Sequence, residues 1–312
     1  MTGTDRIIHR PVLLQEIRAF LREDFRMLVD GTTGEGGHSA MMLQHYRHPV
    51  CLLCLDWDRD MLQRAKHRLL PHSNAHRVTY VHGNFKDLAA ILQQQQQQAD
   101  FILLDLGIST RHYVASDRGF SFSDDAPLDL RINREQGKPL SAILPGLTQA
   151  HLADIIHHLS DERLARPIAR AIYAHRHELT TARQLKTLIE RTVGRRYHDH
   201  IHPATRTFMA LRIFINQELD NLTAFLETVP ELLRPLGRLA VISFHSLEDR
   251  LVKQAFRRLS KRVKQNKYRS QPAPLPAGRI LSKKAIRPGG AEIAGNRQAR
   301  SAKLRVFERN AS

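Results

Sequence analysis

Residues 29–38, Val-Asp-Gly-Thr-Thr-Gly-Glu-Gly-Gly-His, limit what this chain can fold into more than any other stretch. A short apolar run, Met27 to Val29, ends in Asp30; Gly31, Gly34, Gly36 and Gly37 follow, and a helix-compatible run begins at Ser39. Strand, glycine turn and helix start, in that order, bring backbone N–H groups up against a bound nucleotide in α/β domains. About 20 residues further on, a second apolar run, Val50 to Leu55, ends in Asp56. A carboxylate at the tip of the second strand is placed to accept hydrogen bonds from both hydroxyls of a ribose. The pair predicts a nucleoside-containing cofactor.

The pattern around this loop predicts the architecture. Apolar runs at 26–30, 50–55, 78–82 and 100–105 read as strands, with helices such as Asp60 to Leu70 between them. Such alternation predicts a parallel sheet covered on both faces. Gln93 to Gln98 reads as a solvated helix end or loop. After Asp105 the pattern changes. Residues 111–139 are polar and loop-like, and no strand is expected between about 111 and 205. Leu152, Ile155, Ile156 and Leu159 form one helical face; Leu185, Leu188, Ile189 and Val193 form another. Pro167, inside Arg163 to Ala174, opens a helix or kinks one. Phe208, Leu211, Ile215, Leu219, Leu222, Phe225 and Leu226 predict one long striped helix. Strands return at Arg238 to Phe244, Arg279 to Ala285 and Lys303 to Glu308, and Ser246-Leu-Glu-Asp249 reads as a capping box. The expectation is one discontinuous α/β domain, residues 1–110 and 206–312, interrupted by an inserted helical domain at 111–205 that recognises the substrate.

Charge narrows the partners. The 312 residues carry a net charge of +17, which implies a polyanion, most simply nucleic acid. From Arg257 to Arg287 the chain holds Arg258, Lys261, Arg262, Lys264, Lys267, Arg269, Arg279, Lys283 and Lys284 without an acid. No apolar run approaches the roughly 20 residues that span a bilayer, and no amphipathic anchor accompanies the basic run. The N-terminus lacks a secretion signal. Cys51 and Cys54 have C-x-x-C spacing, but residues three apart on a strand face opposite ways, so they read as two buried apolar residues in a reducing cytoplasm.

The acids around the loop discriminate between cofactors. Asp30 and Glu35 repel a pyrophosphate and suit a cation, which favours S-adenosylmethionine over a dinucleotide. Asp105 ends the fourth strand, and the switch point of such a sheet puts it in the same crevice as Asp30. There it binds the cofactor's amino-acid end or orients a target amine. Phe85, after the third strand, offers a ring for an adenine or an ordinary core contact. His245, at the end of a later strand, accepts a proton, contacts the substrate or makes a structural hydrogen bond. His198, His200 and His202 are spaced two apart, but no carboxylate or thiolate completes a metal site, so a solvated loop is expected and no metal. His157-His158 and the pair His175 and His177 are read as helical and equally metal-free.

Taken together, these residues resemble a known family nearly end to end. The matching stretches are His9-Arg-Pro-Val-Leu-Leu14, Asp30 to Ser39, Leu104-Asp-Leu-Gly107, Arg118-Gly-Phe-Ser-Phe122, Pro127-Leu-Asp-Leu-Arg131, Ala169-Arg-Ala-Ile172, His202 to Phe208, Ile242 to Arg250 and Ala299 to Arg305. The sequence resembles the RsmH (MraW) family, bacterial S-adenosylmethionine-dependent methyltransferases acting on N4 of a cytidine in the decoding region of 16S ribosomal RNA. The resemblance implies a class I, Rossmann-like methyltransferase sheet with an inserted helical domain, a cytoplasmic enzyme, and the small ribosomal subunit as partner. A homodimer is compatible with it. By position it implies cofactor contacts at Gly36, Gly37, His38, Asp56, Phe85, Asp105 and His112. The family usually reads Ser-Ser-Pro-Gln where this chain has Ser109-Thr-Arg-His112, and Asn296-Arg-Gln298 lacks a proline expected after the asparagine.

A cytosine amine is a poor nucleophile, so it must be held in line and must lose a proton to an acceptor. Asp105 and His245, helped by Asp129, are the candidate catalytic groups. Arg118, Phe120, Phe122 and Arg131 are expected to offer cations and rings to a splayed base. Two rival readings use the same sheet: a non-catalytic RNA-binding protein and an NAD-dependent oxidoreductase.

Overall fold

The computed structural model describes residues 10–114, 117–121, 125–194, 201–262 and 275–311. The chain forms two compact units, residues 1–107 with 219–312 and residues 108–218. His9, Phe122, His198, His200, Lys264, Lys267 and Arg269 lie outside the described residues.

The first unit begins with helix α1 (Leu14–Arg18) and then alternates: β1 (Met27–Asp30), α2 (Gly37–His45), β2 (Cys51–Asp56), α3 (Arg59–Leu69), β3 (Arg77–His82), α4 (Leu88–Gln94) and β4 (Ala99–Asp105). The second unit holds α5 (Thr110–Val114), α6 (Leu140–Ile143), α7 (Gln149–Ser160), α8 (Ala165–Ala174), α9 (Ala182–Val193) and α10 (Ala204–Asn216). The chain then returns through α11 (Glu218–Leu232) to β5 (Leu233–Ser243), α12 (Ser246–Leu259), β6 (Gly278–Ile280), α13 (Gly290–Gly295) and β7 (Lys303–Arg309).

The seven strands lie in the order β3-β2-β1-β4-β5-β7-β6. The first five are parallel, while β7 runs antiparallel to both β5 and β6. This is the class I methyltransferase sheet. Its central strands are apolar throughout because both faces are covered. Side chains alternate between two cores with the period of two that a strand imposes. Leu28, Phe101, Leu103, Ala240 and Ile242 enter one core with α1 and α2. Val29, Ile102, Leu104, Leu239 and Val241 enter the other with α4, α11 and α12. Fully burying side chains such as Phe101, Phe225, Phe256 and Phe307 contributes about 1.5–3 kcal/mol each. Cys54 joins the first core and Cys51 packs against the second, both as free thiols, so the two point to opposite faces.

The inserted unit has its own core, built from Leu152, Ile156, Ile168, Ile172, Leu185, Ile189 and the α10 residues Phe208 and Leu211 among others. Because α10 completes that core, the return to the first unit falls after Glu218 and not near residue 206. The long striped helix expected over 208–226 is two helices. Gln217 takes a left-handed conformation (φ 50°) and ends α10. Buried Asn216 fixes the break: its amide donates to the carbonyls of Leu130 (2.7 Å) and Arg212 (2.9 Å), and its oxygen accepts from Ile132 N (2.8 Å). Arg212 clasps Glu218 with two bonds of 2.8 and 2.9 Å. Pro167 is the third residue of α8, where a missing N–H costs no helical bond. His175 caps α8 and His177 lies beyond it, so neither is helical. The last hairpin is shorter than expected: β6 stops at Ile280, and Ser282 turns inward so that its hydroxyl accepts from Val306 N (2.9 Å).

Asn216→Ala removes a donor and an acceptor that serve buried backbone groups. It should destabilise the inserted unit by about 2–4 kcal/mol, read as faster hydrogen exchange in α7–α10 together with a lower denaturant midpoint. Unchanged exchange there would contradict the role given to Asn216.

Candidate active site

In an open parallel sheet, ligands bind outside the carboxyl ends of the strands, where the strand order reverses. Here that point lies between β1 and β4, and each strand ends in an aspartate, Asp30 and Asp105. The loop after β1 is pinned from below. Gly31 N donates to Leu103 O (2.9 Å) and Thr33 N to Leu55 O (3.0 Å). A Cβ on Gly31 would stand 2.5 Å from a terminal methyl of Leu104, so a larger residue here would force the buried Leu104 side chain to move. Gly36, at φ 76°, caps α2 in a left-handed conformation that favours glycine.

Asp56 fastens the same loop from β2. One carboxylate oxygen accepts from Gly34 N (2.6 Å) and the other from Asp58 N (2.8 Å). Asp58 then caps α3 by accepting from Asp60 N (2.9 Å). Phe85 is half-buried, its ring meeting Phe225 edge-on at 5.8 Å. It is thus a rim residue of the core that retains an open side.

The electrostatics centre on two carboxylates. Asp30 is buried, accepts from the Ser39 hydroxyl (2.6 Å) and sits with its carboxyl pushed up to about 6 by desolvation, against the Ser39 bond. Asp105 is pushed well above the usual carboxylate range by burial, then by the charges of Asp30 and Glu248. Its backbone N donates to the Thr32 hydroxyl (2.6 Å), which ties β4 to the glycine loop. Among the described residues its buried Oδ1 has no hydrogen-bond partner, and Oδ2 lies 3.5 Å from Nδ1 of His38. Desolvated carboxylates with an unanswered oxygen fit a positively charged ligand and oppose a pyrophosphate. The residues present therefore fit S-adenosylmethionine and not NAD.

His245 follows β5, the strand paired with β4. It is itself the N-cap of α12, one residue before the expected Ser246. Glu248, buried, accepts from the backbone N of Phe244 (2.8 Å) and of His245 (3.2 Å), and its other oxygen lies 3.1 Å from His245 Nε2. Asp249 ties the same helix to β7 through Arg305 (2.7 Å) and Lys303 (3.5 Å). Thr32, Ser39 and Glu248 are the site's supporting residues that sequence reasoning missed. Glu248 alone had a visible signal, the acid three residues into a helix start.

His112 and Asp129 belong to the inserted unit. His112 is buried on α5, tilted against Phe120 at a centroid distance of 5.4 Å. Asp129 is gripped by Arg131 (2.6 and 3.0 Å), and Arg134 approaches to 3.4 Å. Arg118, Phe120 and Arg131 do not present the free cations and ring expected of them. Arg118 is buried and donates to Ile132 O (2.7 Å), Phe120 belongs to the core, and Arg131 also donates to the carbonyls of Arg134, Gln136 and Gly137. His202 pairs with Glu190 at 2.9 Å.

Asp30 gives the site a pH signature. Its folded pKa of about 6 exceeds the ordinary 3.8, so the native state holds a proton that the unfolded chain has lost. Stability therefore falls as pH rises from about 4 to about 6, by a few kcal/mol, and is level above that for this group. Asp30→Asn should abolish that fall in denaturation curves. An identical decline in the variant would remove Asp30 as its source.

Residues 6–310 match the model of the MraW methylase family. Ribosomal RNA small subunit methyltransferase H of Syntrophus aciditrophicus is 40% identical over 314 residues, covering 96% of this chain and 97% of that protein. The protein of the same name from Treponema denticola is 40% identical over 309 residues, covering 97% of each. That from Syntrophotalea carbinolica is 41% identical over 312 residues, covering 96% and 98%. The chain belongs to the MraW methylase family.

Proposed function

We propose that the chain is an S-adenosylmethionine-dependent methyltransferase of 16S ribosomal RNA, working in the cytoplasm, with N4 of a cytidine in the decoding region as acceptor. The observation that carries this reading is the pair of buried aspartates at the tips of β1 and β4 beside the glycine loop, in a chain of this family. Bound S-adenosylmethionine supplies a methyl group activated by a sulfonium. Gly36 and Gly37 give close backbone approach, Asp56 offers acceptors for the ribose, and Phe85 an open ring for the adenine. Asp30 and Asp105 answer the positive charge. His112 is a further candidate contact, by its position seven residues after Asp105.

The acceptor amine shares its lone pair with the cytosine ring, so it attacks only when held in line with the methyl–sulfur bond. As the nitrogen–carbon bond forms and the carbon–sulfur bond breaks, the amine gives up a proton. Asp105, ending β4, and His245, just after its neighbour β5, are the groups we assign to orient the amine and receive that proton. Glu248, 3.1 Å from His245 Nε2, stabilises the imidazolium that results. Asp129 is left out of this step because Arg131 and Arg134 already hold its carboxylate.

RNA is gripped by cations. Arg257, Arg258, Lys261, Arg262, Lys283, Lys284 and Arg287 are exposed. Arg279 is different, its guanidinium held by buried Glu308 together with Arg238. A homodimer is compatible with this reading, which needs one chain per site.

Methyl transfer from labelled S-adenosylmethionine to immature small ribosomal subunits tests the function directly. Wild type should label them, while Asp105→Ala and His245→Ala should lower the single-turnover rate at least about 100-fold. Wild-type rates in both variants would end the catalytic assignment, and an unlabelled wild-type reaction would end the functional one. RNA affinity should fall steeply with salt, and replacing Lys283 and Lys284 by alanine should reduce the logarithmic slope by about 1 to 2. A salt-independent affinity would contradict the basic surface.

A further inference from the structure

Arg10 to Leu13 lie as a strap between the start of α2 and α13, all within the first unit. On one side the strap meets the cofactor loop. Val12 O accepts from Nε2 of the His38 ring (2.8 Å). A Cβ on Gly37 would stand 2.9–3.1 Å from three atoms of the Pro11 ring, so the ring rests directly on the glycine. Gly37 and His38 open α2, and Gly36 and Gly37 are where the proposed function brings S-adenosylmethionine against the backbone. On its other side the strap meets α13. The Glu292 carboxylate accepts from Leu13 N (2.7 Å), Asn296 Nδ2 donates to Arg10 O (3.2 Å), and the Arg10 guanidinium donates to Gly295 O (3.4 Å). The corner between the strap and α1 is Leu13, which takes a left-handed conformation (φ 56°). A residue with a Cβ keeps that conformation only where its surroundings impose it. Here they are the core around its fully buried side chain and the bond from its N–H to Glu292.

We propose that Glu292 is a positioning residue for the cofactor loop. Its carboxylate fixes the corner at Leu13, the corner holds Pro11 and Val12 against Gly37 and His38, and these set where the glycine loop ends and α2 begins. A side chain 279 residues along the chain from Leu13 thereby shapes the S-adenosylmethionine site without touching it. The clamp is a property of the protein alone; only its use on the cofactor rests on the proposed function. A merely structural Glu292 would fasten the strap to α13 and leave the loop unchanged.

Glu292→Ala removes the acceptor, while Glu292→Gln keeps one in its amide oxygen. The first measurement is hydrogen exchange by NMR on the full-length protein without ligand. The reporting amides are Leu13, bonded to Glu292, and Ala40, which donates to Gly36 O (2.9 Å) in the first turn of α2. Rates are taken relative to the β4 amides, which follow global opening. Both reporters should exchange at least about tenfold faster in Glu292→Ala and near the wild-type rate in Glu292→Gln. Faster exchange at Leu13 with Ala40 unchanged overturns the proposal, because the strap is then fastened without positioning the loop. The second measurement is affinity for S-adenosylmethionine by calorimetry, together with methyl-transfer kinetics. Glu292→Ala should weaken binding and raise KM for S-adenosylmethionine about tenfold, with kcat at saturation held and Glu292→Gln close to wild type. Wild-type affinity in Glu292→Ala, or a fall in kcat with KM unchanged, overturns the proposal. If Glu292→Ala does not fold, Pro11→Ala takes its place: it lifts the ring from Gly37, keeps the Glu292 bond, and should weaken binding at least about threefold. Unchanged affinity there overturns the proposal as well. No binding by wild type would instead sink the functional reading, and exchange at Ala40 would still decide the clamp.

Discussion

Two carboxylates that would both be ionised in water are packed out of water at the ends of neighbouring strands. Burying charge of one sign in one place is unfavourable, and nothing in the packing of the sheet requires it. The rest of the unit is arranged so that the cost is tolerated. Ser39 answers Asp30, Thr32 takes the backbone N–H of Asp105, and His38 stands against its inner oxygen. What the protein leaves unanswered, it leaves for a cation. A site built this way chooses a sulfonium over a pyrophosphate through charge alone, before shape has any say.

The surrounding elements serve to hold those tips still. Gly31 packs against the Leu104 side chain of β4, and Asp56 fastens the outer bend of the loop to β2. On the other flank, Glu248 gathers the backbone of Phe244 and His245 and approaches the His245 ring. The polar groups of this region thus come from the carboxyl ends of four neighbouring strands, β2, β1, β4 and β5. Precision comes from the sheet, and chemistry from the few residues at its edge.

Much of this was legible in the sequence, and for definite reasons. Runs that are apolar at every position marked strands covered on both faces, and the aspartates ending them marked the crevice. The period of two was enough to send Cys51 and Cys54 to opposite cores. What stayed hidden depended on partners far along the chain. The apolar stripe from Phe208 to Leu226 passes unbroken through Gln217, since the helices on either side both present apolar faces; Leu130 and Ile132, some distance earlier, help hold the break in place. Arg118, Phe120 and Arg131 look like ligands for a base because their type is suitable, while their commitments to nearby carbonyls and to Asp129 are invisible until the loop is folded. The meeting of His38 with Asp105 is of the same long-range kind.

The position of β7 has a consequence for how the protein is made. This strand, the last of the seven in sequence order, lies between β5 and β6 and not at the border of the sheet. Until it emerges from the ribosome, β5 has an open edge and the first core lacks Leu304 and Val306. The inserted unit, by contrast, draws its core from residues 108–218 alone and has everything it needs much earlier. Biogenesis therefore runs out of register with the numbering: the interruption has its core before the domain it interrupts, which closes only once β7 has been made.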